Sequence, residues 1–433
     1  MITSTARPAV DSPLSLRHIP YRFRNEDADK SARELVEALD GDWQTAAGPV
    51  ELVRFTDGIT NTLIKATKKR PGRTESEVDE EAVLIRAYGE GTAVLIDRER
   101  ELRAHSLLAS VGLAPPLLAK FDNGIMYRFI RGSVCTPEDL RRPEVYRAVA
   151  NRLGQWHGCL PISAITTTPC LNDTSGSRHC ASKDGKQTRP SPNTWTVMQQ
   201  WIDALPNDTE VERTRNEMLD AELDWMSTKL GDTPGLDGKD YIFGHCDLLS
   251  GNVIVQSVSD SKSSNGHIGD VVSFIDYEYA TPSPAAFDIA NHFAEWAGFE
   301  CDHGGVPTKS QRVDFLKASP LHSICVEGVL THYVGSFRYH SITESDTQAI
   351  DIDLREDVEQ LHEQVDLFRG VPGFYWGIWA LIQATISQID FDYASYADLR
   401  LGEYWAWKAE LDGSRKGEGR EAPLRERRWA EEQ

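Results

Sequence analysis

Asp247 and Asn252 stand five residues apart in a short loop between two apolar runs, Tyr241–Phe243 and Val253–Val255. A second carboxylate, Asp276, ends the apolar run Val272–Ile275 twenty-four residues after Asn252. Phosphoryl transfer from ATP to an alcohol needs such a set. One carboxylate orients the hydroxyl and accepts its proton, while oxygen donors from two places hold magnesium, a hard cation that keeps water and phosphate as its other ligands. The plainer reading of the same residues is a surface loop with an Asx turn at Asp247 and a helix cap at Asp276.

The order His245-x-Asp247-x4-Asn252, followed by Asp276 on the next strand, is the pattern of kinases of the protein-kinase fold. Gly-x-Gly-x-x-Gly, Val-Ala-Ile-Lys, Asp-Phe-Gly and Ala-Pro-Glu are all missing, which argues against a kinase acting on peptides. Asp57 to Asn61 is the candidate phosphate-covering turn. Gly58 gives backbone freedom there, and Thr60 and Asn61 offer donors. Arg86 stands where a phosphate-binding cation is expected, and Glu101 on the following helix would orient it, with Glu99 as a rival. Standing alone, the turn reads rather as a plain hairpin, and Arg86 and Glu101 read as surface charges. His245 reads as a tie between the loop and the strand bearing Asp276, and His157 and His292 as packing and hydrogen-bonding groups.

The elements that must position these residues fall into two textures. Residues 1–40 read as a polar arm, partly disordered, with a short helix over Lys30–Leu39. Strands follow over Val50–Phe55, Thr62–Ala66 and Ala82–Tyr88, with Lys68–Glu81 as a solvated hairpin loop. A helix over Asp97–Val111 and two further strands, Leu113–Lys120 and Asn123–Ile130, complete a small lobe over 41–131. From 132 to 410 the periodicity is mainly helical, including Pro143–His157, Trp195–Asp203, Val211–Leu230, Phe287–Glu295, Asp357–Phe368 and Phe374–Ile389. Polar insertions interrupt it at 166–193 and 257–270, and 411–433 reads as a charged tail. The fold class expected is α+β: a protein-kinase-like bilobal fold with a small antiparallel β lobe carrying one helix and a large, mainly helical lobe.

The chain has 433 residues and a formal charge of −21, a balance that argues against nucleic acid and anionic membrane as main partners. Seven cysteines, an odd number without a Cys-x-x-Cys, argue against a disulfide scaffold or structural zinc, and a reducing, cytoplasmic location is expected. The longest mostly apolar stretch, Gly373–Ile386, is too short to span a bilayer.

Three segments carry a family resemblance: Ile275-Asp276-Tyr277-Glu278-Tyr279, Phe287-Asp288-Ile289-Ala290-Asn291-His292-Phe293-Ala294-Glu295-Trp296, and Trp376-Gly377-Ile378-Trp379-Ala380-Leu381-Ile382-Gln383. The sequence from about Phe55 to Trp405 resembles the choline/ethanolamine kinase family. The resemblance implies ATP- and Mg2+-dependent phosphorylation of a small amino alcohol, the first step of phosphatidylethanolamine or phosphatidylcholine synthesis. It makes Asp247 the base and Asn252 and Asp276 the magnesium ligands. It places Arg86 at the ATP phosphates and the backbone from Arg128 to Ile130 at the adenine hinge, and the turn residues Asp57, Gly58, Thr60 and Asn61 with Glu101 complete the expected ATP site. Asp247, Leu249, Glu295, Trp376, Trp379, Phe391 and Tyr396 become the amino-alcohol pocket, where carboxylates and aromatic faces meet an ammonium. Without the resemblance, Trp376 and Trp379 read as core. Asp247-Leu248-Leu249 and Glu295-Trp296-Ala297-Gly298-Phe299 resemble ethanolamine kinases more than choline kinases, so ethanolamine is the expected substrate. A choline or dual-specificity kinase, an antibiotic phosphotransferase and a non-catalytic kinase-fold module are the alternatives. Oligomeric state is left open, a homodimer included.

Overall fold

The computed structural model describes residues 16–55, 61–89, 91–166, 189–256, 271–317, 332–341, 354–387 and 389–433. The turn residues Asp57, Gly58 and Thr60, the 257–270 insertion and most of the 166–193 insertion lie outside the described residues. The chain forms two compact units, Met1–Gly89 with His105–Phe129 and Glu90–Ala104 with Ile130–Gln433. The helix Arg98–Ser110 contributes its first seven residues to the larger unit and the rest to the smaller.

The small unit is built on a six-stranded sheet in the order β1-β5-β6-β4-β3-β2. Its strands are β1 (His18–Ile19), β2 (Val50–Phe55), β3 (Asn61–Lys68), β4 (Val83–Tyr88), β5 (Leu117–Phe121) and β6 (Gly124–Arg128). All neighbours are antiparallel except β1, which runs parallel to β5. Period-2 alternation along β4 turns Val83, Ile85 and Ala87 into one core and leaves Arg86 on the opposite face.

The helix covering that core is Ala28–Leu39, whose Ala32, Leu35 and Val36 follow the i, i+3, i+4 spacing of one buried stripe. The stretch read as a polar arm is therefore, from residue 16 on, part of the small unit. Burying this apolar face stabilises the unit more than an exposed tether could. Lys68–Glu81 also differs from the expected loop, because Glu75–Glu80 is a helix with a capping box, Thr74 and Glu77 exchanging hydrogen bonds. The Thr-x-x-Glu signature of that box was present in the charged run.

In the large unit, β7 (Ser133–Val134), β9 (Val253–Gln256) and β10 (Val271–Phe274) form one small sheet, and β8 (Ile242–Gly244) pairs with β11 (Thr281–Ser283). Helices surround them. Val371–Ile386 is buried on nearly all sides and packs closely on Tyr393–Leu411, a helix not foreseen from the sequence. Gly373 and Gly377 permit that approach: a Cβ at Gly373 would lie 2.6 Å from the Arg400 carbonyl oxygen, and one at Gly377 2.7 Å from Leu401 Cγ. Among the described residues no helix is long and apolar enough to cross a membrane.

The charged tail is also docked rather than free. Its helix Leu424–Ala430 buries Trp429, whose Nε1 donates to Asp366 Oδ1 at 2.7 Å and whose ring lies 4.0 Å under the Arg312 guanidinium. Charge density suggested a solvated tail, but one tryptophan and a layer of arginines with partners outweigh it. Trp429→Ala is expected to destabilise the large unit by about 3 kcal/mol, read as a lower denaturant midpoint. An unchanged midpoint would show that the tail docks without supporting the unit.

Candidate active site

The loop His245–Asn252 leaves β8 and enters β9, and Asp276 follows β10. Pairing of β9 with β10, with Val253 opposite Phe274, brings the ends of the two segments together. His245 donates from Nε2 to the Ile275 carbonyl at 3.0 Å and receives the Asp247 N–H on Nδ1 at 3.3 Å, so it ties the loop to the segment carrying Asp276.

One face of the helix Ala285–Ala294 holds the loop from beneath. Asp288, Asn291 and His292, at i, i+3 and i+4, all point at it. Asp288 accepts from the His245 N–H at 2.9 Å and the Cys246 N–H at 2.6 Å. His157 Nε2 donates to the same carboxylate at 2.8 Å while its Nδ1 pairs with the Tyr333 hydroxyl at 2.7 Å. Burial raises the Asp288 pKa, but these donors, His157 foremost, outweigh burial and leave it below the ordinary carboxylate value. Asn291 donates to the Cys246 carbonyl at 3.0 Å, and His292 Nδ1 bonds the Leu248 carbonyl at 2.8 Å. Cys246 and Asp276 both sit at positive φ, 61° and 63°. That region is costly for side-chain-bearing residues, and the surrounding bonds over-determine it here.

Asp247 is 7% exposed. Asn252 Nδ2 donates to its carbonyl at 2.8 Å and to its Oδ2 at 3.1 Å. Burial drives the Asp247 pKa well above the ordinary value, and the charges of Glu278, Asp276 and Glu295 raise it further. The site is therefore a concentration of negative charge. Arg98 answers part of it, with Nη1 at 2.9 Å from Glu101 and 3.2 Å from Glu278 and Nη2 donating to Thr92. Within the large unit Glu101 thus serves Arg98.

The donor set fits magnesium. Commitment of the Asn252 nitrogen to Asp247 leaves its oxygen as the available ligand atom, Asp276 adds a carboxylate, and the neighbouring Cys246 thiol is pushed up by burial and stays protonated. Among the described residues no three His, Cys, Asp or Glu side chains converge into a metal site of their own, which magnesium held partly by substrate phosphates does not require.

Aromatic rings stand in the same unit. Trp379 Nε1 donates to the Tyr279 hydroxyl at 2.8 Å, and Trp376 Nε1 to Asn291 Oδ1 at 2.8 Å. Trp376 meets Trp379 and Tyr279 edge-on, both at 5.7 Å. Phe391 and Tyr396 join Phe299 in a second ring cluster, at 4.9 and 4.8 Å from it. Glu295 accepts from Arg400 Nη2 at 3.2 Å, and Leu249 is half-buried on the loop. Trp376 and Trp379 are buried, as packing alone would have them, yet their ring nitrogens bond to Asn291 and Tyr279 beside the loop. Tyr279 and Asn291 went unnoticed in the sequence, although both fall in the motifs that carry the resemblance. The i, i+3, i+4 spacing of Asp288, Asn291 and His292 was the missed signal.

The residues expected at the nucleotide behave less uniformly. Arg86 is buried at 3% exposure, and Asn61 opens β3 opposite Tyr88. In the segment expected as the adenine hinge, the Arg128 and Phe129 N–H groups already donate to the carbonyls of Pro116 and Ala82.

Burial has a measurable consequence for three histidines. It is the main force lowering the pKa of His105, His245 and His292 to about 4 from the ordinary 6.5. They stay neutral in the native state, whereas the unfolded chain takes up their protons near pH 6.5. Their contribution is complete above about pH 6.5 and is lost as pH falls toward about 4. The urea midpoint should therefore fall between about pH 7.5 and about pH 5.5, and a flat or rising midpoint would contradict the burial assignment.

The choline/ethanolamine kinase family model matches residues 52–405. Ethanolamine kinase 2 of Rattus norvegicus is 30% identical over 393 residues, covering 89% of this chain and 83% of that one, and the Homo sapiens protein of the same name is 30% identical over 390 residues, covering 89% and 82%. Among solved structures, a Plasmodium vivax ethanolamine kinase superposes with a TM-score of 0.64 at 23% identity, covering 88% of this chain and 89% of that one. A choline kinase from Cryptosporidium parvum gives 0.57 at 17% identity, covering 89% and 97%. These two likenesses bear on the fold, which is that of the protein-kinase-like phosphotransferases. From the family match and the relatives together, the chain belongs to the choline/ethanolamine kinase family.

Proposed function

We propose that this protein transfers the γ-phosphoryl group of ATP to the hydroxyl of ethanolamine, giving phosphoethanolamine and ADP, a head-group precursor of phosphatidylethanolamine. The observation that carries the reading is the gathering, in one unit, of the buried Asp247–Asn252 pair, the Tyr279–Trp376–Trp379 rings and the Glu295 carboxylate. An ammonium brought into that surrounding finds carboxylate charge and aromatic faces together. The relatives that share 30% identity over most of the chain are named ethanolamine kinases.

In this reading Asp247 orients the substrate hydroxyl and takes its proton as the new O–P bond forms and the bond to ADP breaks. Asn252 keeps the Asp247 carboxylate in one rotamer through Nδ2. The Asn252 amide oxygen and Asp276 would hold magnesium, which when bound offsets phosphate charge. The high proton affinity of Asp247 in the bare site suits a base whose carboxylate is brought into its working range by arriving cations. Arg86 and Asn61, with the Arg128–Ile130 carbonyls, are assigned to the nucleotide. Leu249, Phe391 and Tyr396 complete the walls on the amino-alcohol side. A cytoplasmic location belongs to the same reading.

Coupled ATP turnover with magnesium is expected to give a kcat/KM for ethanolamine at least about tenfold above that for choline, about 1.4 kcal/mol of discrimination. A preference for choline would keep the mechanism and overturn the substrate; turnover of aminoglycosides alone would overturn both. Asp247→Ala is expected to lower kcat by about a thousandfold while calorimetric ATP affinity stays within about threefold. An unchanged kcat would remove Asp247 from the role of base.

A further inference from the structure

Four ionisable side chains of the large unit, Glu295, Arg400, Glu403 and His303, form a line of which the reading above uses only Glu295. Arg400 lies in its middle, 1% exposed, on the Tyr393–Leu411 helix. Its Nη2 donates to Glu295 Oε1 at 3.2 Å and its Nη1 to the Tyr396 hydroxyl at 3.3 Å. Its Nε lies 3.3 Å from Glu403 Oε2, an ion pair without hydrogen-bond geometry. Glu403 in turn bonds His303 Nε2 through its other oxygen at 2.7 Å.

One guanidinium thus serves two buried carboxylates, and it serves them unequally. Burial tends to raise the Glu403 pKa, but Arg400 and the His303 bond bring it down to about 2. Burial raises Glu295 too, yet there Arg400 offsets only part of the rise and the Glu403 charge adds to it. Arg400 binds only one oxygen of Glu295, and among the described residues no other side chain bonds to that carboxylate. Glu295 is therefore fixed in direction while its demand for positive charge is still unmet.

We propose that Arg400 is a positioning residue of the amino-alcohol site: braced by Glu403, it fixes Oε1 of Glu295 and leaves Oε2 to accept from the N–H groups of a primary ammonium. The assignment rests on the ethanolamine reading above. A primary ammonium carries three directed donors, so the rotamer of its carboxylate partner matters. A quaternary ammonium has none and responds to charge and ring faces alone. Lysine at this position keeps the charge but loses the planar fork that reaches two carboxylates at once.

The test is Arg400→Lys beside the unaltered enzyme. The KM for ethanolamine is expected to rise about tenfold, with the KM for ATP within about twofold. The KM for choline, or its inhibition constant if choline is not turned over, should stay within about threefold. An unchanged ethanolamine KM, or a rise shared equally by all three constants, would overturn the assignment. Should Arg400→Lys fail to fold, the double variant Arg400→Met/Glu403→Gln removes the cation and the brace together, so that Glu403 is not left as an unpaired buried charge. It is expected to fold with ethanolamine binding still weakened. Recovery of the ethanolamine KM in the double variant would show that Arg400 merely neutralises Glu403. An unaltered enzyme with no ethanolamine turnover overturns the functional reading, whereas an active one matched by Arg400→Lys overturns the Arg400 assignment alone.

Discussion

The buried carboxylate of Asp288 is the constraint on which the site depends. The His245–Asn252 loop cannot hold its own shape, since Cys246 occupies a positive-φ conformation that side chains resist. Two backbone N–H groups on one carboxylate hold the loop in that conformation. The carboxylate is itself expensive to bury and is held below its ordinary pKa by its donors, His157 foremost, which in turn pairs its other nitrogen with the Tyr333 hydroxyl. Helices Pro143–Cys159, Ala285–Ala294 and Tyr333–Ser341 are thereby locked to the loop through one hydrogen-bonded chain. Breaking any link leaves a buried charge or donor without a partner, and the loss reaches Asp247 through the backbone.

Electrostatics explains why such a scaffold suits cationic ligands. The charges of Asp276, Glu278 and Glu295 all act on Asp247, and each makes its ionisation harder. Arg98 and Arg400 answer Glu278 and Glu295 from within the unit, but among the described residues the Asp247 carboxylate is bonded only by a neutral amide. An excess of buried negative charge is a standing cost in the bare protein, and it becomes binding energy when an ammonium and a divalent cation enter. On this view the raised proton affinity of Asp247 and the preference for cations are one property.

How far this could be read from the sequence differs by element. The His245–Asn252 loop and Asp276 were legible because their chemistry needs a fixed order and spacing at the ends of short apolar runs. The tie from His245 to the Asp276 segment was legible for the same reason. The arm and the tail were misread because charge density dominates a short window, while Ala32, Leu35 and Val36, or the single Trp429, do the burying. The helix Glu75–Glu80 was hidden in a charged run that only its capping box marks. Tyr279 and Arg400 were illegible as partners because their bonds join residues 100 and 105 positions apart, a distance over which local pattern carries no information.

Arg400 also shows how packing and specificity become one problem. It reaches Glu295 from a helix whose depth is set by Gly373 and Gly377 on the neighbouring Val371–Ile386 helix, since a methyl group at Gly373 would meet the Arg400 carbonyl itself. The helix carrying Trp376 and Trp379 is therefore the one that decides how close Arg400 can come. A side chain at either glycine must push the Tyr393–Leu411 helix outward, lengthening the bond to Glu295 and shifting Tyr396 with it, while the tryptophans stay tied to Asn291 and Tyr279. The two walls of the proposed amino-alcohol site would then separate. Small residues that look like mere packing in the sequence thus set the distance between the aromatic faces and the carboxylate, which is the distance an amino alcohol must span.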